Sequence, residues 1–516
     1  MNKGKNLFHS TATVSSMTLL SRIAGFLRDM VTAQIFGAGA AFDAFSVAFR
    51  IPNLMRRLFA EGSFSQAFVP VLAEYQQQNS GDQLRGFISA ITGTLGVVLA
   101  VVTLLGILAA PLFVHLFAPG FTGGRFELAT SLLRITFPYL FLVSLTALSG
   151  AILNTFSRFW VPAFTPIWLN LCMIAAAIWL GPHLQVPIMA LAIGVFVAGV
   201  LQLGFQLPFL RRMNLLPSPR IRFRDPGVRR VLKLMVPALF GVSVSQLNLL
   251  LDTLFASILM VGSVSWLYYS DRLMEFPLGV IGVAISTVIL PHLSRHHVDR
   301  STQNFSLVID WALRCILLAG IPAGVIFAVS AGPLISTLFQ HGHFDGFAVT
   351  MTQKSLTMFA IGITPFMAVK VLAAGFYARQ NIRTPVRIGI LAMVSNMVLN
   401  AILVWPLKHA GIALATSLSA VLNAGLLFWF LKKNAHYLPR PGWGYFSLRL
   451  LLANGVLGVF LWLSGGSLAD DWIAADVFTR IEHLAVMLVS AGLLYLGTLW
   501  LTGMRPRHVM VVLEGV

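Results

Sequence analysis

The sequence predicts an all-α integral membrane protein of fourteen transmembrane helices, arranged as two parallel-repeat six-helix lobes plus two extra C-terminal helices. Three observations carry that expectation. Apolar stretches of about twenty residues, the length a helix needs to cross the hydrocarbon core, recur from end to end of the 516 residues. Lys and Arg concentrate in alternate gaps between those stretches. Segments of the first half also reappear in the second half at a nearly constant offset.

With 57% apolar and 10% charged residues and a mean hydropathy of +0.82, the chain is far more apolar than a soluble domain. Apolar spans lie near 10–36, 40–60, 87–118, 128–155, 160–181, 186–210, 231–260, 264–292, 305–335, 349–378, 385–405, 409–431, 444–464 and 478–502. The longest polar segment, 211–230, is too short to bury a core of its own. The N-terminus, Met1-Asn2-Lys3-Gly4-Lys5, leads into the first span without a small-residue cleavage site, and Arg22 and Arg28 interrupt it. It reads as a retained helix and not as a signal peptide. Cys172 and Cys315 both fall inside spans, which leaves no disulfide framework and no metal-ligand spacing.

The formal net charge of +18 is spread over loops, which argues against a nucleic-acid partner. One set of loops holds Lys3, Lys5, Arg85, Arg158, the cluster from Arg211 to Arg230, Arg295, Arg300, Arg379, Arg383, Arg387, Lys432, Lys433, Arg440, Arg505 and Arg507. The opposite set holds Arg125, Lys408 and Arg480. Basic loops stay in the cytoplasm, so both termini are expected there, in a bacterial inner membrane.

The repeat rests on three segments. Pro111-Leu112-Phe113 through Pro119-Gly120 falls on Pro333-Leu334-Ile335 through His341-Gly342, Phe64 to Pro70 on Ile285 to Pro291, and Val161-Pro162 on Thr384-Pro385. The offset is 221 to 223 residues throughout. Six spans per repeat give both halves the same orientation, which suits two lobes rocking about a central cavity. The expected divisions are 1–222 and 223–435 for the lobes and 436–516 for the two added helices.

Ionisable residues inside a membrane must face a cavity, find a partner or snorkel. Span 1 carries Ser21, Arg22, Arg28 and Asp29; span 2 carries Asp43, Arg50, Asn53, Arg56, Arg57 and Glu61; span 8 carries Asp271, Arg272 and Glu275; span 10 carries Lys370. Arg22 lies about a dozen residues into its span, roughly 18 Å along a helix, too deep to snorkel. It is expected to face the cavity. Arg28 is a cavity candidate with pairing to Asp29 as the alternative, and Arg56 is another. Arg272 and Glu275, one turn apart, either pair or present Arg272 to the cavity. A cavity lined by arginines and a lysine selects anions, since guanidinium forks match phosphate oxygens two at a time. Asp43 and Glu275 read as partners that orient arginines, or as gate residues; a purely structural ion-pair network is the bland alternative. Asp252 is a lone carboxylate in an apolar run, and with Asn396, Asn400 and Thr416 it could hold a hard monovalent cation; a protonated or hydrogen-bonded structural Asp is the alternative. His296-His297 reads as a solvated pair at a helix end. No Gly-rich phosphate loop, nucleophile elbow or paired catalytic carboxylates are present in the sequence, so a transporter is expected in place of an enzyme.

The stretch Ser21-Arg22-Ile23-Ala24-Gly25-Phe26-Leu27-Arg28-Asp29, with Phe36-Gly37-Ala38-Gly39, Asp43-Ala44-Phe45 and Ile51-Pro52-Asn53-Leu54-Met55-Arg56-Arg57 running on to Glu61-Gly62, resembles the N-terminal signature of the MurJ/MviN lipid II flippase family. Tyr268-Tyr269-Ser270-Asp271-Arg272-Leu273-Met274-Glu275-Phe276-Pro277 resembles its helix 8 motif. The resemblance implies a member of the multidrug/oligosaccharidyl-lipid/polysaccharide exporter superfamily. The implied substrate is undecaprenyl-pyrophosphate-linked disaccharide pentapeptide, lipid II, moved from the cytoplasmic to the periplasmic leaflet. It also implies Arg22, Arg28, Arg56 and Arg272 as essential cavity residues, accompanied by Ser21, Asp43, Asn53, Ser265, Asp271, Glu275 and Lys370. The two added helices are then a groove for the isoprenoid tail. The family's cation pattern would fall on Asp252, Asn396, Asn400, the carbonyl of Ile412 and Thr416, a candidate sodium site. No other cofactor is implied, and protons or the membrane potential are the alternative drives. Membrane lipid and cell-wall synthesis proteins are the expected partners. Two rival functions share much of this pattern: flipping of another lipid-linked oligosaccharide, and a non-transporting scaffold for cell-wall synthesis.

Overall fold

A computed structural model of the chain describes residues 2–57, 64–78, 81–282, 284–286, 289, 293, 302–433, 437–466 and 469–505. Glu61, Arg295, His296, His297, Arg300, Arg507 and most of the repeat segment 285–291 lie outside the described residues. Those described form helices, turns and bends and no strand. In chain order the helices are α1 (Asn2–Phe36), α2 (Ala40–Arg56), α3 (Phe64–Gln78), α4 (Gly81–Leu108), α5 (Ala110–Phe117), α6 (Gly123–Thr136), α7 (Pro138–Thr155), α8 (Trp160–Ala175) and α9 (Met189–Arg212). There follow α10 (Pro226–Ser257), α11 (Ser263–Pro277), α12 (Thr302–Val329), α13 (Ala331–Phe339), α14 (Gly346–Ala378), α15 (Arg383–Lys433), α16 (Trp443–Leu461), α17 (Ala469–Ala474) and α18 (Val477–Leu501).

Nine helical runs among the described residues are long and apolar enough to cross a membrane. Their outer faces carry large apolar side chains, among them Trp179 at 73% and Leu451 at 70% exposure, a pattern that only an apolar solvent tolerates. One of the nine, α15, is a hairpin. Its 51 residues leave helical geometry at Lys408 (φ 55°, ψ −134°), and Asn396 Nδ2 donates to Thr416 Oγ1 at 3.2 Å. Twenty residues of unbroken helix would hold those two about 30 Å apart, so the arms fold back on one another. The sequence predicts this break, between the spans ending at 405 and starting at 409.

Two helix breaks recur at the offset read from the sequence. α4 gives way to α5 at Ala109, with Pro111 the second residue of α5, and α12 gives way to α13 at Ser330, 221 residues later, with Pro333 the third residue of α13. Proline lacks the N–H that a continuing helix would need, and it is accommodated where a new helix starts. The spans predicted as single helices over 87–118 and 305–335 are each divided for this reason.

Contacts divide the chain into two compact units, Met1–Val264 and Ser265–Val516; α10 belongs to the first. In that unit α3, which the apolar scan passes over, buries Phe64, Phe68, Val71 and Leu72 against Phe87 and Ile91 of α4. Its pattern is amphipathic, with a polar end at Glu74-Tyr75-Gln76, and so it does not register as a span. The basic segment before α10 lies along α4: Arg220 N donates to Ser89 O at 3.0 Å and Arg222 N to Thr94 Oγ1 at 3.1 Å. Gly106 faces the Phe137 ring, where an added Cβ would stand 2.0 Å from Cε1. Gly106→Ala should therefore lower stability by about 1–3 kcal/mol through overpacking, read as a fall in the melting temperature of the purified protein; an unchanged value would contradict this packing.

In the second unit α16 and α18 bury matching stripes, Leu450, Ala453, Leu457 and Leu461 on one and Leu484, Met487, Ala491 and Tyr495 on the other. Spacings of three and four residues place each stripe on one helix face, and the alanines permit close approach. The pair packs on Leu317, Leu318, Ile321 and Val325 of α12, and Tyr495 OH donates to Leu318 O at 2.7 Å. Buried Arg480, read from sequence as a loop charge, anchors the end of the pair near α13. It donates to the carbonyls of Ser336, Gln340, Ile473 and Ala475 at 2.8–3.3 Å, joining the C-terminal ends of α13 and α17.

Candidate functional site

In the first unit the cluster on α1 is built around Arg28, which is 7% exposed. Its Nε and Nη2 donate to Asp29 Oδ1 at 3.0 and 2.7 Å, and its Nη1 to Asn170 Oδ1 at 3.1 Å. Asn170 Nδ2 in turn donates to the carbonyl of Ser21 at 3.2 Å. Asn170 of α8 therefore ties together two candidate positions, and sequence reasoning missed it. A single amide in an apolar span carries a signal only once a buried charge is known to face it. Pairing with Asp29, the alternative kept open for Arg28, is present. Arg22, seven residues before Asp29, is exposed and has no hydrogen-bond or ion-pair partner among the described residues.

On α2, Asn53 Oδ1 accepts from Arg56 Nε at 3.0 Å, fixing one edge of that guanidinium. Arg56 borders a cavity of about 490 Å³ whose other walls include Asn154, Thr165, Gln202 and Gln206. Asp43, 1% exposed, accepts from Gly262 N at 2.8 Å and pairs with Arg125 Nη1 at 3.6 Å. Arg125 also donates to Ser257 O at 3.0 Å and lies 3.8 Å over the Phe121 ring. Asp43 thus joins α2, α6 and the chain after α10. The arginine it orients is Arg125, counted from sequence among the loop charges. Arg50 donates to Thr253, the neighbour of Asp252.

In the second unit Arg272 Nη1 pairs with Glu275 Oε2 at 2.9 Å, the pairing the sequence allowed, and its guanidinium lies 5.0 Å from the Tyr268 ring centroid. Both side chains are part-exposed, at 31% and 46%. The pair therefore holds Arg272 in place without removing it from contact with a ligand. Ser265 is fully buried at the start of α11, and Asp271 lies on the same helix. Lys370 of α14 packs beside Gly282, in the wide turn that extends α11, with its Cδ 3.7 Å from where a Cβ would stand.

Four members of the expected cation set come together on α15. Asn400 Nδ2 donates to Asn396 Oδ1 at 2.6 Å, Asn396 Nδ2 to Thr416 Oγ1 at 3.2 Å, and Thr416 Oγ1 to Ile412 O at 3.0 Å. Asn396 Oδ1, Thr416 Oγ1 and Ile412 O each accept a hydrogen bond within the hairpin, and no carboxylate is among the four residues. The fifth member, Asp252, belongs to the first unit. Among the described residues no group of three His, Cys, Asp or Glu could hold a metal.

The family described as "Lipid II flippase MurJ" matches residues 32–482. The chain is 48% identical over 510 residues to the probable lipid II flippase MurJ of Haemophilus influenzae, covering 96% of this chain and 99% of that one. It is 44% identical over 512 residues to the lipid II flippase MurJ of Burkholderia cenocepacia, covering 98% and 99%. Among solved structures, a lipid II flippase MurJ in an inward closed conformation superposes with a TM-score of 0.78 at 27% identity, over 94% of this chain and 97% of that one. An inward-facing multidrug-resistance MATE transporter of the MOP superfamily shares the fold, at a TM-score of 0.65 and 13% identity over 82% and 98%. This multi-pass integral membrane protein belongs to the lipid II flippase MurJ family.

Proposed function

We propose that the chain flips lipid II, undecaprenyl-pyrophosphate disaccharide pentapeptide, from the cytoplasmic to the periplasmic leaflet of a bacterial inner membrane by alternating access. Full-length membership of the lipid II flippase family supports the substrate. The observation that carries the mechanism is Arg22: an exposed guanidinium within the first span expected from the sequence, with no partner among the described residues. A bare guanidinium in that setting is expensive to keep unless an anionic ligand visits it. Arg28, Arg56 and Arg272 differ in being pre-oriented, by Asp29 and Asn170, by Asn53 and by Glu275. Oriented guanidinium groups meet a pyrophosphate without losing side-chain entropy at the moment of binding. Asp43, Ser21, Ser265, Asp271 and Lys370 complete the proposed set.

The reading includes fourteen transmembrane helices with both termini cytoplasmic, two six-helix lobes over 1–222 and 223–435, and the α16–α18 segment as a groove for the isoprenoid tail. The shared helix break at Ala109 and Ser330 supports the repeat, and the α15 hairpin adds a crossing that one apolar run conceals. The drives that belong to this reading are sodium held by Asp252, Asn396, Asn400, the Ile412 carbonyl and Thr416, or protons or the membrane potential. Cell-wall synthesis proteins are the partners this role calls for. Depleting the protein in cells while labelling lipid II by leaflet should strip the periplasmic leaflet of lipid II within a generation. Unchanged periplasmic lipid II would sink the assignment, and loss of a different lipid-linked saccharide would redirect it.

A further inference from the structure

A cleft of about 680 Å³ opens beside the linker that leads into α16. It gathers Arg314 of α12, Arg440 of the linker and Arg449 of α16, with Tyr445, Phe446 and Leu318 among its walls. One carboxylate, Asp310, accompanies these three guanidinium groups, and it is already saturated. Tyr437 OH and Trp443 Nε1 each donate to its Oδ1 at 2.7 Å, while Arg314 Nε pairs with Oδ2 at 2.9 Å. The cleft keeps a formal excess of two positive charges, three less one. The 19-residue helix α16 starts here behind Gly442, whose φ of 95° suits glycine and which supplies no side-chain cap. The helix's first N–H groups add to the positive field. Across the same Arg440–Gly442 segment lies a second cleft of about 500 Å³, walled mostly by apolar side chains such as Leu313, Leu317, Ala424 and Phe428.

We infer that these two clefts bind an anionic phospholipid, with its phosphate among Arg314, Arg440 and Arg449 and an acyl chain along the apolar side. The ligand must be amphipathic, because one segment of chain separates a cationic cleft from an apolar one. It must be net anionic, because a zwitterionic headgroup would bring a second positive charge to three arginines. Arginine forks match phosphate oxygens. Trp443 and Tyr445 supply the amphipathic rings found at the membrane–water boundary, and Lys432 and Lys433 place this end of the bundle on the basic-loop side. The bound lipid would fix the foot of the α16–α18 pair in its leaflet.

The full-length purified protein, titrated in detergent and read by native mass spectrometry, tests the site with phosphatidylglycerol, phosphatidylcholine and inorganic phosphate. Phosphatidylglycerol should bind at least about tenfold tighter than phosphatidylcholine, and an Arg440→Gln/Arg449→Gln double variant should lose at least about tenfold of that affinity. Arg440→Lys should retain most of it. Equal affinity for the two lipids, or undiminished binding by the double variant, would overturn the proposal. Displacement of phosphatidylglycerol by an equal concentration of inorganic phosphate would show that a free anion is the ligand, and would overturn it as well. If the double variant fails to fold, the exposed Arg440→Gln alone gives the same comparison. None of these readouts depends on transport, so they stand apart from the fate of the flippase reading.

Discussion

Replacing Arg22 with alanine should slow the appearance of lipid II in the periplasmic leaflet by about ten- to a hundredfold, the effect of losing one charge-assisted hydrogen bond to a phosphate. The protein should insert and melt as before, because the Arg22 side chain is exposed and has no partner among the described residues. Arg22→Lys should fall between the two, keeping the charge and losing the planar fork. Arg28→Ala is a poorer probe. It would strand Asp29 and Asn170 in a buried setting, a change worth about 3–5 kcal/mol, and so would mix folding with transport. A scaffold that does not transport would tolerate Arg22→Ala. Wild-type flipping by that variant, measured in reconstituted vesicles by accessibility of labelled lipid II, would remove the anion-binding role.

Asp310→Ala should lower stability by about 3–5 kcal/mol, since a buried carboxylate that satisfies several donors leaves all of them unpaired when it is removed. Asp310 is 3% exposed. It accepts from the Tyr437 phenol, the Trp443 indole and, at 3.4 Å, the Arg440 amide, while pairing with Arg314. Burial first, and then the carboxylate beside it, push the Tyr437 phenol far above its usual range, so it stays a donor at any physiological pH. The node clamps the linker before α16 onto α12. The expected result is a lower melting temperature together with faster proteolysis in the segment 437–442. Asp310→Asn should cost less, because an amide oxygen of the same shape still accepts from the phenol and the indole. An Asp310→Ala variant that melts like the wild type would show that the linker is held by its apolar contacts alone.

The membrane class was readable from composition and span length, because a bilayer imposes one requirement on every helix that crosses it. The break at Lys408 was readable too, since a helix twice the membrane thickness has to turn. The candidate arginines were found because a charge in an apolar run is a visible exception. Near partners, Asp29 for Arg28 and Glu275 for Arg272, were visible as well, but distant ones were not. Asn170 lies 142 residues from Arg28 and Arg125 lies 82 from Asp43, and in each case the partner looks unremarkable until folding brings it opposite a buried charge. α3 was not legible as a span because half its surface is polar, whereas a membrane-crossing helix shows as an apolar run.

What the sequence by itself determined was the solvent and the places where charge had to be accommodated, since each follows from local composition and the cost of desolvation. Tertiary structure decided which arginines are clamped and which is left exposed. It also decided that hydrogen bonds link Asn400 to Asn396 and Asn396 to Thr416 across the α15 hairpin, and that Asp310 and Arg480 hold the two ends of the added helices. Those outcomes depend on distances between residues far apart in the chain. A hydrogen bond is gained or lost within about 1 Å, a tolerance that no pattern of residue types can convey.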